Sequence, residues 1–474
     1  MRKTYTSFAL PLLSLLALSS CSNDDNFTEQ IDPDNTIVVA DSAPSAVVSA
    51  QGFYVANEDW FGHDNGSVNY FKNDGSIIYR AYRAANNGEK LGVTTQFATI
   101  YGNNAYLISK QKNRLVVADA KTLKMKAVLT EIGGDGRAFV GINPKKAYIS
   151  TGNGISIFNI ETLKVEGSIS GISNQTGNMI LAGDYVIAIT QSKGAYIINT
   201  KTDTVEKLIS GTDFASVVQS KDGKIWIGAS TKLIQINPYT LEKTDEVDIA
   251  YAPIGSLWGA WNAGSLSAST KQNVLYWTKG NSVVKYYIET KSINTSFYAL
   301  GKDDQGIQLA FYGAGLRVDP LTDKLVLMVK RNGWGDAGSY NWMHLVTNTG
   351  TLEKSIVVNG GNGTGSQDER YYWFPAVPFF EDANAPEILL NQIIVAPGKR
   401  KAIALNDKIV DADNASSSII KSISTKGTEL ATYELKTDSL IVIAKATTGK
   451  EKITISAISN GKYVEKAIRI DVRK

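Results

Sequence analysis

The chain has 474 residues, and its 49 Lys and Arg against 46 Asp and Glu leave a net charge of only +3. This balance gives no electrostatic basis for nucleic-acid binding, which normally requires a strongly basic surface. With 43% hydrophobic and 20% charged residues, the composition is that of a chain that folds around a core, and it excludes a disordered protein.

The N-terminal residues predict export. Arg2 and Lys3 precede an apolar run over residues 8–18, which is too short to span a membrane in the mature protein. The run ends at Cys21 in a sequence that resembles the lipobox of bacterial lipoproteins, where the cysteine is lipidated. Cys21 is the only cysteine, so no disulfide is expected. We expect residues 1–21 to be a lipoprotein signal peptide; an ordinary secretory signal is the alternative.

Residues 22–49 are predicted to be a flexible tether. The polar and acidic start of this segment, with Asp24 and Asp25, resembles the export signal that sends Bacteroidota lipoproteins to the outer face of the outer membrane. A plain solvated linker would have a similar composition. The expected location is therefore the cell surface, with the lipid at Cys21 as the only contact with the membrane.

A repeat with a period near forty residues follows. Its mark is a short alternating strand that ends near Asp or Asn and runs into a turn rich in Thr, Leu and Lys. The copies begin at residues 68, 115, 155, 195, 233, 283 and 343. Four short strands per unit at this spacing are typical of a β-propeller. The sequence therefore predicts an all-β fold, with a seven-bladed β-propeller over residues 50–382.

The first two repeats predict how the ring closes. The second repeat has four strands, at residues 96–101, 105–109, 115–119 and 126–129. The first repeat begins at Gly52 with what matches a second strand, so its innermost strand is missing. We predict that residues 372–378 pair with residues 53–57 and supply that strand, which leaves no open sheet edge. Pro375 and Pro378 are expected at the end of the strand, because proline donates no ladder hydrogen bond.

After Asp382 the pattern changes. Short alternating strands without tryptophan occur at residues 393–395, 402–405, 439–443, 452–456 and 467–471. They predict an immunoglobulin-like β-sandwich over residues 384–474. Asp411 and Asp413 suggest a calcium loop, but without further acidic ligands a polar turn is the preferred interpretation, and no metal site is predicted.

The sequence lacks the common catalytic motifs. It has two histidines, His63 and His344, and no Cys/His metal spacing, phosphate-binding Gly-Lys-Ser/Thr loop or Gly-x-Ser-x-Gly motif. His344 falls in a third strand and is expected to be a packed residue. We therefore expect a binding protein without a cofactor, and not an enzyme.

Two long loops predict a binding face. They span residues 57–66 in the first repeat and 330–342 in the seventh, and these repeats are neighbours in a closed ring. With the starts of inner strands, they bring six tryptophans to one mouth: Trp60, Trp258, Trp261, Trp334, Trp342 and Trp373. Indole rings suit broad ligands with polar edges, although each ring also has a packing role as its alternative. Trp226 and Trp277 are expected in the core.

Polar and further aromatic residues complete the predicted site. Arg331 and Arg370 are expected to reach a carbonyl, phosphate or amide edge of the ligand. Gln96 and Arg137 are expected beside the channel in neighbouring blades. The candidate ligand-binding residues are Trp60, His63, Gln96, Arg137, Trp258, Trp261, Arg331, Trp334, Tyr340, Trp342, Arg370, Tyr371 and Tyr372.

Residues 56–67 and 371–378, followed by the Ala-Pro-Glu-Ile sequence at 385–388, resemble the YncE-like surface propellers of Bacteroidota. That family includes the BtuG-type lipoproteins, which capture cobalamin for a TonB-dependent transporter. The resemblance, over roughly residues 50–388, implies a corrinoid ligand and such a transporter as partner; the C-terminal sandwich is an addition to the BtuG pattern. Two other functions stay open: a glycan-binding surface lipoprotein, and a structural or adhesive protein in which the sandwich is the working part.

Overall fold

The computed structural model describes residues 38–255, 264–360 and 369–474. These residues form an all-β fold with one short helix, α1 (Ala81–Ala85), and two 3-10 turns, Gly335–Ser339 and Ser416–Ser418. In this part of the chain no helix is both long and apolar enough to cross a membrane. The first strand, β1 (Val38–Asp41), belongs to the C-terminal part of the molecule.

Seven four-stranded antiparallel sheets are formed by the described residues between 52 and 380. The strands of the first part are β2 (Gly52–Asn57), β3 (Ser67–Lys72), β4 (Ile77–Ile78), β5 (Val93–Tyr101), β6 (Asn104–Gln111), β7 (Leu115–Asp119), β8 (Met125–Leu129), β9 (Gly136–Asn143), β10 (Lys146–Thr151), β11 (Gly154–Asn159), β12 (Lys164–Ser168), β13 (Thr176–Ala182), β14 (Tyr185–Thr190), β15 (Gly194–Asn199) and β16 (Thr204–Ser210).

The remaining strands of these sheets complete the body. They are β17 (Phe214–Gln219), β18 (Ile225–Ala229), β19 (Lys232–Ile236), β20 (Lys243–Asp248), β21 (Ser267–Ala268), β22 (Val274–Lys279), β23 (Ser282–Tyr287), β24 (Ser292–Ala299), β25 (Leu309–Val318), β26 (Leu325–Arg331), β27 (Asn341–Val346), β28 (Leu352–Val357) and β29 (Pro375–Phe380). The innermost strands contact one another in a closed circle, in the order β29, β5, β9, β13, β17, β21, β25 and back to β29.

The sheets form where the repeat predicts them. The third strand of each sheet begins within two residues of its predicted position, at residues 67, 115, 154, 194, 232, 282 and 341. In the outermost strands exposed residues alternate with partly buried ones, as in β16, whereas second strands such as β18 are buried throughout. Apolar side chains therefore fill the space between neighbouring sheets, which gives a propeller-like fold.

β29, the last strand of the ring, closes the first sheet, as predicted. β29 pairs antiparallel with β2, placing Phe380 opposite Phe53 and Pro375 opposite Asn57. The strand starts three residues later than expected. The prolines also differ from expectation, because Pro375 begins the strand and Pro378 lies within it, opposite Val55. β29 is an edge strand of its sheet, and one side of an edge strand makes no ladder hydrogen bonds, so proline is tolerated there.

The strands between residues 387 and 472 form further sheets, which together are called here the C-terminal module. Its strands are β30 (Glu387–Ile388), β31 (Leu390–Val395), β32 (Arg400–Ala404), β33 (Ile409–Val410), β34 (Ile420–Ser424), β35 (Ala431–Lys436), β36 (Ser439–Ala444), β37 (Gly449–Ser459) and β38 (Lys462–Val472). A five-stranded sheet (β1-β31-β38-β37-β34) and a three-stranded sheet (β32-β36-β35) enclose one apolar core, which includes Leu390, Leu440 and Ile468.

The segment that was expected to be a tether is partly bound to this module. β1 pairs with β31, with Val39 opposite Ile393, and Val39 packs on the module core. Beyond β1, the Ser42 amide donates to the Leu389 carbonyl (2.6 Å), and the Val48 amide donates to Asn384 (2.8 Å). Residues 38–49 are therefore attached to the chain that joins the two modules. This pairing covers the exposed edge of β31.

The C-terminal module lies over one end of the ring. The Asn460 carbonyl, at the turn between β37 and β38, accepts a hydrogen bond from the Gly102 amide (2.8 Å), and the Asn460 side chain donates to the Ile100 carbonyl (3.1 Å). Further around the ring, Ser417 donates to the Lys221 carbonyl (2.8 Å). We call this end the covered face. The loop over residues 57–66 lies at the other end, the mouth.

Candidate functional site

The first loop of the mouth is held by a buried network of charges. Asp59 has a left-handed backbone (φ 57°) and is fully buried. Its carboxylate accepts hydrogen bonds from the Ser67 hydroxyl (2.7 Å) and from Arg83 (3.3 Å). Arg83 also donates to Asp64 (2.8 Å), which Lys90 contacts at the same distance. Residues that follow the loop in the chain therefore fix its conformation.

The two carboxyl groups of this loop differ in their electrostatics. Burial raises the pKa of Asp59 to about 7, although hydrogen bonding by Ser67 and the charge of Arg83 oppose the rise. Burial also acts to raise the pKa of Asp64, but hydrogen bonds from Arg83 and Lys90 outweigh it and hold that pKa well below its usual range. Asp64 is thus the charged anchor of the loop, whereas Asp59 titrates near neutrality.

A row of aromatic side chains crosses the mouth. His63 stacks on Trp60 (3.7 Å between ring centroids), and Trp60 lies against Tyr372 (4.6 Å). Tyr372 is followed by Phe374 (6.1 Å), which contacts Tyr312 (5.2 Å). We call these five residues the aromatic ladder. Their contacts continue from the outer loop to the channel, and Trp60 stays 39% exposed.

A bulge in β25 brings Tyr312 into the ladder. The pairing of β25 with β26 shifts register between Phe311 and Leu316. Gly313 within this bulge has φ 57°, and a Cβ there would lie 2.3 Å from the Ala376 carbonyl oxygen, so the close approach to β29 requires glycine. Bulges of this kind redirect side chains beside binding sites. Here the Tyr312 hydroxyl donates to Glu58 (3.2 Å).

A cavity of about 560 Å³ opens at the inner end of the aromatic ladder. Glu58, Phe311 and Tyr312 form part of its wall, with Lys279 and Trp334 on other sides. Trp334 is 79% exposed, and the Lys330 ammonium lies 5.3 Å from its ring centre. A space of this volume accepts a small-molecule ligand or part of a larger one.

Polar side chains continue around the ring from Glu58, away from the ladder. Burial raises the pKa of Glu58, which Gln96 hydrogen-bonds, and burial lowers the pKa of the nearby Lys110. Arg137 donates to Gln175 (3.1 Å). The Gln96 carbonyl oxygen and the Gln175 amide nitrogen are buried without a hydrogen-bond partner. We call these five residues the polar arc; its unsatisfied groups are suited to a ligand that carries amides or carbonyls.

The structure brings part of the predicted site together. Trp60, His63 and Tyr372 lie in the aromatic ladder, Trp334 lines the cavity, and Gln96 and Arg137 lie in the inner strands β5 and β9. The predictions for Trp258, Trp261 and Cys21 fall outside the described residues.

The expectation for the two arginines requires correction. Arg331 is 5% exposed, forms an ion pair with Asp303 and lies 3.5 Å from the Tyr340 ring centre, so it is occupied by the protein itself. Arg370 also lies over this ring (4.2 Å) and pairs with Asp336 (3.3 Å). Of these two arginines, Arg370 is the one whose side chain is exposed.

Other predicted aromatic residues have packing roles. Trp373 is fully buried, and Arg80 lies 4.6 Å from the centre of its ring. Tyr371 stacks against the same arginine, and Trp342 is partly buried against the core of its sheet. The interpretation of His344 as a packed residue is confirmed, since it is 5% exposed, hydrogen-bonds Tyr298 (3.0 Å) and has its pKa lowered to about 4 by burial.

Tryptophans 226 and 277 lie in the core, as expected, and both are fully buried. Sequence reasoning missed other parts of the site, namely Glu58, Tyr312 and Phe374. A signal for the bulge at Tyr312 is present in the sequence: two glycines flank Ala314 in an otherwise regular inner strand. Glu58 and Phe374 carry no such signal.

Comparisons with known proteins place the chain in a family. It belongs to the DUF5074 family, described as a domain of unknown function, whose model matches residues 51–381. No curated protein matches the chain.

One solved structure shares the fold at a TM-score above 0.5. A quinonprotein alcohol dehydrogenase-like protein from Bacteroides thetaiotaomicron is 14% identical with a TM-score of 0.52, over 70% of this chain and 78% of that one. The computationally designed Ika8 protein is also 14% identical, with a TM-score of 0.42, over 70% of this chain and 97% of that one. The first similarity shows a common fold, and at this identity it shows nothing about activity.

Proposed function

We propose that the chain is a ligand-capture lipoprotein of the bacterial cell surface. Its body is a seven-bladed β-propeller of the YncE-like type, and its C-terminal module is an immunoglobulin-like sandwich. Seven four-stranded sheets in a closed circle support the first assignment, and two sheets packed around one core support the second. The binding site is the mouth.

One observation carries this proposal: the aromatic ladder leads into a cavity of about 560 Å³ that borders a polar arc. The ladder offers flat apolar surfaces, and the arc offers buried donors and acceptors. A broad ligand with an apolar face and amide edges is complementary to both. A corrinoid has this chemistry, and it is the ligand that the resemblance to BtuG-type lipoproteins implies.

A glycan is the second candidate. It is favoured by Trp334, whose ring is 79% exposed and provides a platform on which a sugar ring can stack. A role limited to adhesion through the C-terminal module is less well supported, because that module lies over the covered face and leaves the mouth open.

Binding is a better account of this mouth than catalysis. His63 is stacked on Trp60, and Asp59 is buried behind the loop with its oxygens bonded to Ser67 and Arg83. These two groups do not form an acid/base pair beside the cavity. We therefore propose a binding protein without a resident cofactor, which passes its ligand to a TonB-dependent transporter.

Calorimetry tests the ligand directly. The mature protein is titrated with cyanocobalamin, cobinamide and a glycan panel. We expect saturable heat with a corrinoid. Heat with a glycan alone would identify a sugar, and not a corrinoid, as the ligand. No heat with either class would contradict ligand capture at this mouth.

The proposed anchor has its own test. Cys21→Ser should prevent lipidation and move the protein from the membrane fraction to the soluble fraction. If the variant stays in the membrane fraction, lipidation at Cys21 is not what anchors it.

A further inference from the structure

Three carboxylates meet where the ring joins the C-terminal module. Asp382 follows β29 at the end of the ring, whereas Asp411 and Asp413 lie in the C-terminal module. One oxygen from each lies within 4.8 Å of the others. We propose that this junction cluster binds a divalent cation, with Ca²⁺ the expected ion, and that the ion fastens the module to the ring.

The immediate surroundings supply one positive charge. Lys462 donates to Asp382 (2.7 Å) and to the Asn384 carbonyl (2.8 Å), and it is the cation that forms an ion pair with the cluster in the described part of the chain. Three carboxylates against one ammonium leave two negative charges. The Asp382 side chain is only 6% exposed and Asp413 is 2% exposed, so this excess lies out of water. A divalent cation would neutralise it.

Neutral groups bond part of the cluster but leave other oxygens unsatisfied. The backbone and side-chain nitrogens of Asn384 donate to Asp413 (2.6 and 2.9 Å), and the Asp413 amide donates to one oxygen of Asp411 (2.8 Å). Asn460 donates to Asp382. The second oxygen of Asp411 is buried and makes no hydrogen bond of good geometry, although the side chains of Ser459 and Asn414 lie beside the carboxyl. A cation would bind this oxygen.

Ser459 provides an independent indication. It is 1% exposed, and its hydroxyl lies next to the Asp411 carboxyl but makes no hydrogen bond of good geometry. A buried polar group without a well-formed hydrogen bond requires an explanation, and a cation shared by the hydroxyl and the carboxylate oxygens would provide one. Carboxylate and hydroxyl oxygens are ligands of hard cations, and Ca²⁺ tolerates irregular sets of them better than Mg²⁺ does.

The third carboxylate of the cluster comes from a distant part of the chain. Asp411 and Asp413 lack further acidic ligands in their own segment, and the fold brings a third, Asp382, from the end of the ring. A cation bound there contacts both modules. It would therefore stabilise their attachment and not merely the turn around Asp413.

The test compares the full mature chain with two variants after treatment with chelator. Asp411→Asn removes a carboxylate from the cluster, and Asp407→Asn removes an exposed one from the same module as a matched control. Each protein is titrated with CaCl₂ by calorimetry, and its unfolding temperature is measured with CaCl₂ or with EDTA. We expect one Ca²⁺ per wild-type chain and per control chain, with a higher unfolding temperature in CaCl₂.

Asp411→Asn should bind Ca²⁺ roughly tenfold more weakly or worse, as loss of a coordinating group does. In EDTA it should be at least as stable as the wild type, because it loses a like charge. Ser459→Ala, which keeps all three carboxylates, should weaken Ca²⁺ binding to a smaller extent. The proposal would be overturned if the unfolding temperature of the wild type were the same in CaCl₂ and in EDTA. It would also be overturned if Asp411→Asn bound Ca²⁺ as tightly as the wild type does.

Discussion

The two ends of the ring are built from the same inner strands and differ in what lies over them. At the covered face, Tyr101 ends its strand 8% exposed, and the turn at Asn460 bonds the chain beside it. At the mouth, Trp60 and Trp334 are 39% and 79% exposed. Exposed aromatic surface beside a cavity is typical of binding faces and is the reason why the mouth is the proposed site, whereas the covered face has a partner within the chain.

Closure of the ring and attachment of the C-terminal module depend on different contacts. β29 closes the first sheet through its pairing with β2, and the C-terminal module begins only after Asp382. The module is therefore an addition to a ring that is complete without it. The following changes test the two ends separately.

The largest effect is expected at the covered face. Lys462→Met removes the ammonium that pairs with Asp382 and leaves a buried carboxylate without its cation. Such a loss destabilises by about 3 kcal/mol or more. Urea unfolding at neutral pH with EDTA measures it. Lys450→Met, at an exposed position in β37, is the control; equal midpoints for the two variants would show that the junction contributes little.

An effect of similar size is expected from pH at the mouth. Burial raises the folded-state pKa of Asp59 from its ordinary value of 3.8 to about 7. The protonated form is therefore favoured in the folded state, and this contribution is complete below pH 4 and is lost as the pH rises through 7. It amounts to roughly 4 kcal/mol, because each pKa unit is worth about 1.4 kcal/mol.

Asp59→Asn should remove this dependence. Between pH 4 and 7 the variant should lose less unfolding free energy than the wild type, whereas Asp336→Asn, whose carboxyl is exposed, should follow the wild type. Chemical unfolding at several pH values gives the slopes. The same slope for Asp59→Asn and the wild type would mean that Asp59 is charged in the folded protein throughout this range.

Much of the ring was predictable because its signals are local. Each third strand ends at a turn that its own residues specify, and β2 lacked an inner neighbour in the sequence, which pointed to β29. β1 was not predicted, because Val38–Asp41 is too short to show alternation and its pairing with β31 joins residues far apart in the chain.

The site was predictable only where single loops carry it. Trp60 and Trp334 lie in long loops that the sequence shows directly. The ion pair between Arg331 and Asp303 depends on the position of a separate loop, and the position of Tyr312 depends on a bulge. Likewise, no local pattern brings Asp382 to Asp411, since only the packing of the module on the ring does so.

The smallest expected effect on stability accompanies the most direct test of the mouth. Trp60→Ala with Trp334→Ala removes two exposed rings, so the unfolding temperature should change little. Each ring should contribute on the order of 2 kcal/mol to binding as an aromatic anchor. Calorimetric titration with cyanocobalamin should therefore show affinity weakened well over tenfold, while Tyr463→Ala, at an exposed tyrosine of the C-terminal module, keeps wild-type affinity. Unchanged affinity of the double variant would contradict ligand binding at the mouth.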